Sequence, residues 1–530
     1  MLTVLTAISA GEIENKTDKA KFGLAQSYMN LSDFDNANPL LQELYAKYPE
    51  DEDVVMNLLL VYSEKQQYEP AITLCMDFLK NNGDNKTIRL WLARCLSWDK
   101  QYDESLEIYS NLIAQYSDWE IPAREKARVL GWSRQYDDAV EEYRHLAERD
   151  PNTPVFGYEM AAKQNLYNRF PISAMKHYKQ WLSEEPDNPE AMYDLAQIYS
   201  TQQQWSNAAN MYERILAQYP SHFRAKQALD KVRMYSQDTK VRAGFKMFES
   251  DSASRITDTR YWNAFASVTL PLNENTYVNI RQDNIWRNFD NYRQIYQQQF
   301  GVELEYKHKP DFWGSVNFAA SAYENEKGVE YLFGGELNIK PVDELTVTLS
   351  HQRRQIIDNS KVFLDKLYAD NFGTRVLYQP TRHWVSGADY FHAAYSDGNK
   401  KDAYGADVGY YLSFEPDSLK LSYRHEIYHF SILDPDYFSP ASFHSNRLRT
   451  EWRHYFNADE LFWGTNDTYS TVQYEVIFDD GNQIGHQIRC GFHHDFNDRC
   501  SSYLEWSKMI YEHADIYSED MLMFYTSIYF

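Results

Sequence analysis

The chain has 530 residues, too many for one ordinary domain, so at least two folding units are expected. Its formal net charge of −24 is spread over both halves, and such a surface repels phosphates and argues against DNA or RNA as partners. Mean hydropathy is −0.66 and no apolar run reaches the roughly 20 residues of a membrane-spanning helix, yet 16% of the residues are aromatic, with 43 Tyr and 13 Trp. That mixture suits strands that alternate lipid-facing with lumen-facing positions and carry aromatic girdles, so low hydropathy leaves the membrane open as a location.

The first segment, MLTVLTAISAGE (1–12), is a short apolar stretch followed by small residues that looks like the tail of a secretory signal without its basic start. Residues 1–15 are therefore expected to be residual leader, with the true start upstream or trimmed away. From 16 to 237 the chain repeats with a period of 34: Phe34, Tyr68, Tyr102, Tyr136 and Phe170 are evenly spaced, and Trp205 follows after one added residue. Three positions after each aromatic lie Ala37, Ala71, Ser105, Ala139, Ser173 and Ala208, and nine before lie Ala25, Leu59, Ala93, Ala127, Ala161 and Ala196. Further on in each repeat stand Pro49, Gly83, Ser117, Pro151, Pro186 and Pro220. Small residues at two fixed positions let two helices cross closely, the aromatic closes the turn between them, and Pro or Gly ends the second helix.

Six such units in one register resemble the tetratricopeptide repeat, most clearly in ARVLGWSRQYDDAVEEYRHLAERDP (127–151) and AQIYSTQQQWSNAANMYERILAQYP (196–220). Gly83 and Ser117 depart from the usual Pro, and Ala174 after Ser173 suggests a slightly shifted fifth repeat. The resemblance implies an α-α solenoid whose groove binds peptides or protein partners and performs no chemistry. Cys75 and Cys95 read as core thiols; Cys490 and Cys500 flank a turn at positions that need not face each other.

From 238 to 530 the period changes to two. Strands are expected near 239–249, 260–271, 276–288, 294–307, 312–324, 328–340, 345–357, 366–379, 383–396, 402–415, 418–430, 444–456, 468–479, 483–495, 500–512 and 519–530, sixteen in all. LKLSYRHEIYHF (419–430) puts Leu419, Leu421, Tyr423 and Ile427 on one face and Lys420, Ser422, Arg424 and Glu426 on the other. Phe300, Val302, Leu304 and Tyr306, and Val472, Tyr474, Val476 and Phe478, form similar apolar faces. Alternation alone also fits a soluble sandwich. The connections discriminate: every second one is tight (LNEN, HKPD, PVDE, PTRH, PDS) while most others are longer and polar, with 457–467 as an exception. That asymmetry, with an even strand count, predicts a 16-stranded antiparallel transmembrane β-barrel with its short turns in the periplasm. The chain finishes MLMFYTSIYF, placing Phe524, Ile528 and Phe530 on one face; this resembles the C-terminal signal read by the outer-membrane assembly machinery. An open edge would leave backbone groups without partners in lipid, so the first and last strands should pair.

No GxSxG, P-loop, HExxH or EF-hand pattern occurs, and the chain is expected to be neither an enzyme nor a cofactor or metal protein. His493 and His494, adjacent on a strand, point to opposite faces and do not chelate one ion together. Repeats followed by a barrel resemble the outer-membrane exopolysaccharide export porins, those of poly-β-1,6-N-acetylglucosamine above all and cellulose exporters more loosely. The resemblance implies a Gram-negative outer-membrane location with the repeats in the periplasm, where they would hold a polysaccharide-modifying enzyme, a synthase complex or the polymer. The glycan would thread a lumen whose candidate contacts are the acids Asp283, Glu303, Glu305, Glu330, Glu336, Asp407, Glu426, Glu451, Glu475 and Glu505 and the bases Arg281, Arg354, Arg424, Arg447, Arg449, Arg453 and Arg489. The acids would attract a partly deacetylated, cationic glycan, and Tyr277, Tyr411 and Tyr525 could stack on sugar rings. The competing expectation is a non-transporting scaffold, receptor or adhesin with a narrow or plugged barrel.

Overall fold

The computed structural model describes residues 13, 15–151, 153–252, 259–289, 294–324, 328–456, 468–480, 483–512 and 517–530. Nearly all of the expected leader and the whole exceptional segment 457–467 lie outside the described residues. The chain divides into two compact units. One runs to Tyr167 and takes in Ser173–Ala196 and Asn210–Leu229; the other takes in Asn168–Ile172, Gln197–Ala209 and Asp230–Phe530.

Among the described residues thirteen helices form the repeats: α1 (Lys16–Asn30), α2 (Phe34–Lys47), α3 (Glu52–Glu64), α4 (Tyr68–Asn82), α5 (Lys86–Trp98), α6 (Tyr102–Gln115), α7 (Glu120–Trp132), α8 (Tyr136–Arg149), α9 (Pro154–Tyr167), α10 (Pro171–Glu184), α11 (Pro189–Thr201), α12 (Trp205–Gln218) and α13 (Phe223–Gln237). The periodic small residues sit where helices cross: Ala37, Ala71, Ser105, Ala139 and Ala208 are fully buried, and the Ser105 hydroxyl is satisfied by donating to the Ala93 carbonyl at 2.7 Å. Each turn within a repeat places one non-glycine residue at positive φ, namely Ser32, Gln66, Lys100, Arg134, Arg169 and Gln203, at 56° to 70°. The strain is compensated because the next N–H reaches back to the preceding helix, as in Gln67 N to Tyr62 O at 2.8 Å and Gln135 N to Leu130 O at 2.9 Å.

The added residue falls earlier than the spacing of aromatics suggests. Helix α9 has 14 residues where α3, α5, α7 and α11 have 13. From that point the buried small positions move by one: Ala162 and Ala174 are fully buried, while Ala161 and Ser173 are only half-buried. Phe170 accordingly stays in the turn instead of opening a helix.

The first helices of four successive repeats share a buried ionic network. Arg94 Nη2 meets Glu125 at 2.6 Å, Arg124 meets Glu159 at 2.6 Å, Arg128 pairs with Glu190, and Lys163 meets Glu190 at 2.6 Å and Asp194 at 2.8 Å. Burial opposes the charge on Glu190, but Arg128 and Lys163 outweigh it and hold this carboxyl at about 2. Burial wins at Glu159, whose carboxyl is pushed up against the pull of Arg124 and Arg128.

The second half is one closed antiparallel sheet. Its strands are β1 (Lys240–Ser252), β2 (Thr259–Asn273), β3 (Thr276–Asn288), β4 (Ile295–Lys309), β5 (Phe312–Tyr323), β6 (Val329–Val342), β7 (Leu345–Gln355), β8 (Tyr368–Tyr378), β9 (Trp384–Tyr395), β10 (Lys400–Ser413), β11 (Asp417–Phe430), β12 (Phe443–Tyr455), β13 (Tyr469–Asp479), β14 (Ile484–Asn497), β15 (Cys500–Glu512) and β16 (Tyr517–Tyr529). A short helix, α14 (Ser360–Leu364), lies between β7 and β8. Strand β1 pairs with β16 from Lys240↔Tyr529 to Ser252↔Tyr517, and Phe530 N extends the seam by donating to Thr239 O at 2.9 Å. Every second side chain points outward, and the outer face is apolar: Phe300, Val302, Leu304 and Tyr306 are 39–53% exposed, Phe524 is 45% exposed and Ile528 37%. All four cysteines are free thiols.

Lys163→Met should leave Asp194 without a cation and Glu190 with Arg128 alone, and destabilise the helical half by about 3–5 kcal/mol, seen as an earlier loss of helical circular dichroism on heating. The Glu190 carboxylate is favoured by folding, so its contribution is complete above the ordinary value of 4.5 and fades as pH falls towards about 2. Thermal melts across that range should show the decline in the native chain and a shallower one in Glu190→Gln.

Candidate functional site

The alternation that turns apolar residues outward puts the opposite set on the inner wall, where charges meet between neighbouring strands. The densest group joins four strands, β8 to β11. Arg375 Nη1 binds Asp389 Oδ1 and its Nη2 binds Asp407 Oδ1, each at 2.7 Å; Arg424 Nη1 lies 2.8 Å from Asp389 and 3.2 Å from Asp407. Glycine makes room for it. A Cβ at Gly387 would lie 2.6 Å from Arg375 Nη2, and one at Gly405 would lie 2.6 Å from Asp389 Oδ2.

From there the pairing runs on across the wall. Glu426 lies 3.9 Å from Arg424 and 3.5 Å from Arg447. Glu475, only 1% exposed, lies 3.6 Å from Arg447 and 2.6 Å from Arg449. Glu451 is 3.8 Å from Arg453, and Glu505 is 3.6 Å from Arg489. On β3, Arg281 donates to both oxygens of Asp283, which also accepts from Asn263 at 2.7 Å.

The remaining candidates are more scattered. Glu305 pairs with Lys307 at 2.7 Å, Glu330 accepts from Tyr323 Oη at 2.9 Å, and Glu336 accepts from Asn338 at 2.6 Å. Glu303 sits in register between Asn279 and Asn317 and has no ion-pair partner among the described residues. Arg354 lies beside Tyr395 at the far end of β7. Tyr277 accepts a hydrogen bond from Trp205 Nε1 at 2.6 Å, Tyr411 stacks on Phe414 at 5.7 Å, and Tyr525 packs on Tyr503 at 5.4 Å. Most of these charges thus hold one another along the wall. Arg375 and Asp389, which complete the four-residue group, were not among the sequence candidates; only the strand register brings them to Asp407 and Arg424. His493 turns inward onto Tyr469 and Tyr503, and His494 turns outward between Phe492 and Phe496.

At the long-loop end, the segment between β7 and β8 packs against inner-face residues. Phe363 of α14 meets Phe289 at 5.4 Å and Tyr323 at 5.2 Å, while Ile356, Val362 and Leu367 cluster with Ala369, Ala393, Tyr395 and Phe430. The segment between β11 and β12 braces it: Asn359 Nδ2 donates to Asp436 O at 2.6 Å, and Tyr437 stacks on Tyr395 at 5.4 Å.

Residues 171–232 match one tetratricopeptide-repeat family model, and residues 19–51 and 88–118 match another. No curated protein matches the chain. Among solved structures, a bacterial polysaccharide outer membrane secretin is similar at 10% identity over 56% of this chain and 99% of its own, with a TM-score of 0.45. OccK3 (OpdO) of Pseudomonas aeruginosa is similar at 9% identity over 55% of this chain and 96% of its own, with a TM-score of 0.32. A tetratricopeptide repeat protein from Parabacteroides merdae is similar at 15% identity over 41% and 93%, with a TM-score of 0.30. The chain is a tetratricopeptide-repeat solenoid followed by a closed 16-strand antiparallel barrel.

Arg424→Met should leave Asp389 and Asp407 sharing one guanidinium. Because these groups are partly exposed, the expected cost to the barrel is about 1–3 kcal/mol, read as a lower temperature for conversion of the folded to the unfolded band on a semi-native gel. An unchanged conversion temperature would mean that the group does not support the wall.

Proposed function

We propose that this chain is an outer-membrane porin that exports an exopolysaccharide. The observation that carries the reading is the combination in one closed sheet of an apolar, exposed outer face with a continuous polar inner wall. A closed sheet with that outer face is stable in hydrocarbon, since closure leaves no strand edge without a partner. Paired guanidinium and carboxylate groups offer hydroxyl-rich polymers many weak contacts of similar strength, which suits sliding better than tight binding. Export is then passive, and specificity comes from the lumen lining and from the repeats.

In this reading residues 16–237 are a periplasmic docking module and 238–530 the transmembrane module. Strand β1 begins, and β16 ends, at the short-turn end, which in outer-membrane barrels faces the periplasm. The solenoid would hold a polysaccharide-modifying enzyme, a synthase component or the polymer, as repeat surfaces commonly hold extended partners. Phe524, Ile528 and Phe530 would serve the assembly machinery. The glycan most compatible with the acidic candidates is a partly deacetylated, cationic amino sugar polymer.

A second reading has an observation of its own. The β7–β8 segment packed on the inner face narrows the long-loop end, as a plugged scaffold or surface receptor would require. Single-channel recording separates the two. The export reading expects a small conductance in the native protein and a several-fold rise when residues 357–366 are replaced by a short glycine–serine linker. Silence in both proteins, with the barrel folded, would favour the scaffold.

A further inference from the structure

We propose that the lumen wall carries a glycan-stacking ramp, a row of rings rising from the short-turn rim to mid-wall that binds successive hexopyranose units. The inference rests on the lumen being a polysaccharide path and adds where the polymer is held. Direct register partners define the row: Tyr455↔Tyr469, Tyr469↔His493, His493↔Tyr503 and Tyr503↔Tyr525. It continues through Tyr525↔Gly244 and Gly244↔Phe265, and ends at Phe265↔Asp283. Six of seven consecutive strands, β12 to β16 and β2, thus contribute a ring. The seventh, β1, contributes Gly244, where a Cβ would lie 2.6 Å from the Tyr525 Cβ and 2.7 Å from the Phe265 ring. Any side chain there would break the row.

The rings are neighbours. Centroids are 5.5 Å apart for Tyr455 and Tyr469, 5.2 Å for Tyr469 and His493, 6.4 Å for His493 and Tyr503, and 5.4 Å for Tyr503 and Tyr525. The five from Tyr455 to Tyr525 are half-buried. Tyr455 is the last residue of β12 and Tyr469 the first of β13, both at the short-turn rim, whereas Phe265 lies midway along β2. Strands about 4.8 Å apart and tilted about 40° make such a row span about 29 Å and climb about 18 Å, a spiral track instead of a level girdle.

Polar groups line the track. Tyr503 Oη donates to Glu505 at 2.6 Å, His493 Nε2 lies 3.0 Å from Asp495, and the guanidinium groups of Arg453 and Arg242 lie over the Tyr469 and Tyr525 rings, 5.1 Å and 4.5 Å from their centroids. A pyranose presents an apolar C–H face and a rim of hydroxyls, and a ring beside a carboxylate or guanidinium answers both. Of the row, Tyr525 alone was a glycan candidate in the sequence, because alternating Tyr and His residues become one surface only through strand register.

Calorimetric titration of chitohexaose into the full-length protein in detergent tests the ramp. The native protein should bind, the double variant Tyr469→Ala, Tyr503→Ala should bind at least ten-fold more weakly, and Tyr469→Phe, Tyr503→Phe should bind as the native does. Tyr331→Ala, on the outer face at 57% exposure, should leave affinity unchanged, and heat-modifiable gel mobility confirms that each barrel is folded. Failure of the native protein to bind, or equal binding by the alanine variant, overturns the ramp. Channel recording is a separate readout, so a protein that binds through these rings but does not conduct would sink export while leaving the ramp standing.

Discussion

The hydrogen-bonded seam between β1 and β16 is the constraint on which the rest of the barrel depends. A sheet exposed to hydrocarbon has no water to satisfy an edge, so it either closes or is not a membrane structure. Closure here runs the full length of both strands and reaches Phe530. Once the sheet is closed, alternation becomes a division of space: one set of side chains meets the surroundings and the other is confined to a shared interior. Glycines such as Gly244, Gly387 and Gly405 then acquire meaning, because the interior has little room and large charged or aromatic neighbours already occupy it.

Two ionic networks solve the problem of holding charge away from water in different ways. In the solenoid, Lys163 and Glu159 are almost wholly buried and each is surrounded by opposite charge from adjacent repeats, so the pairs tie one repeat to the next. In the lumen, Arg375, Asp389, Asp407 and Arg424 keep 19–39% of their side-chain surface exposed. Such groups keep part of their surface exposed while tying neighbouring strands together. The same residue types therefore act as cement in one half and as a lining in the other, and the difference is burial.

Much of this architecture is legible in the sequence. The 34-residue period gave the helix pairs because each repeat must bury the same small residues at the same crossings. The expected strands all occur, most with ends within two residues, because period-two alternation and turn chemistry are local properties. The misplaced insertion has a local cause as well: Phe170 keeps the aromatic spacing, and only the burial of Ala162 and Ala174 reveals that the extra residue lies within α9.

The sequence by itself determined which residues alternate, where the chain turns, and that a repeat array precedes a barrel, since each follows from neighbours within one helix or strand. The tertiary structure decided which strand positions meet. Arg375 meets Asp407 from 32 residues away, and the rings of β12 to β16 form a row only in one register. It also decided that the β7–β8 segment folds onto the inner face. Those outcomes depend on closing the sheet with a particular stagger, a property of all sixteen strands together that no single strand encodes.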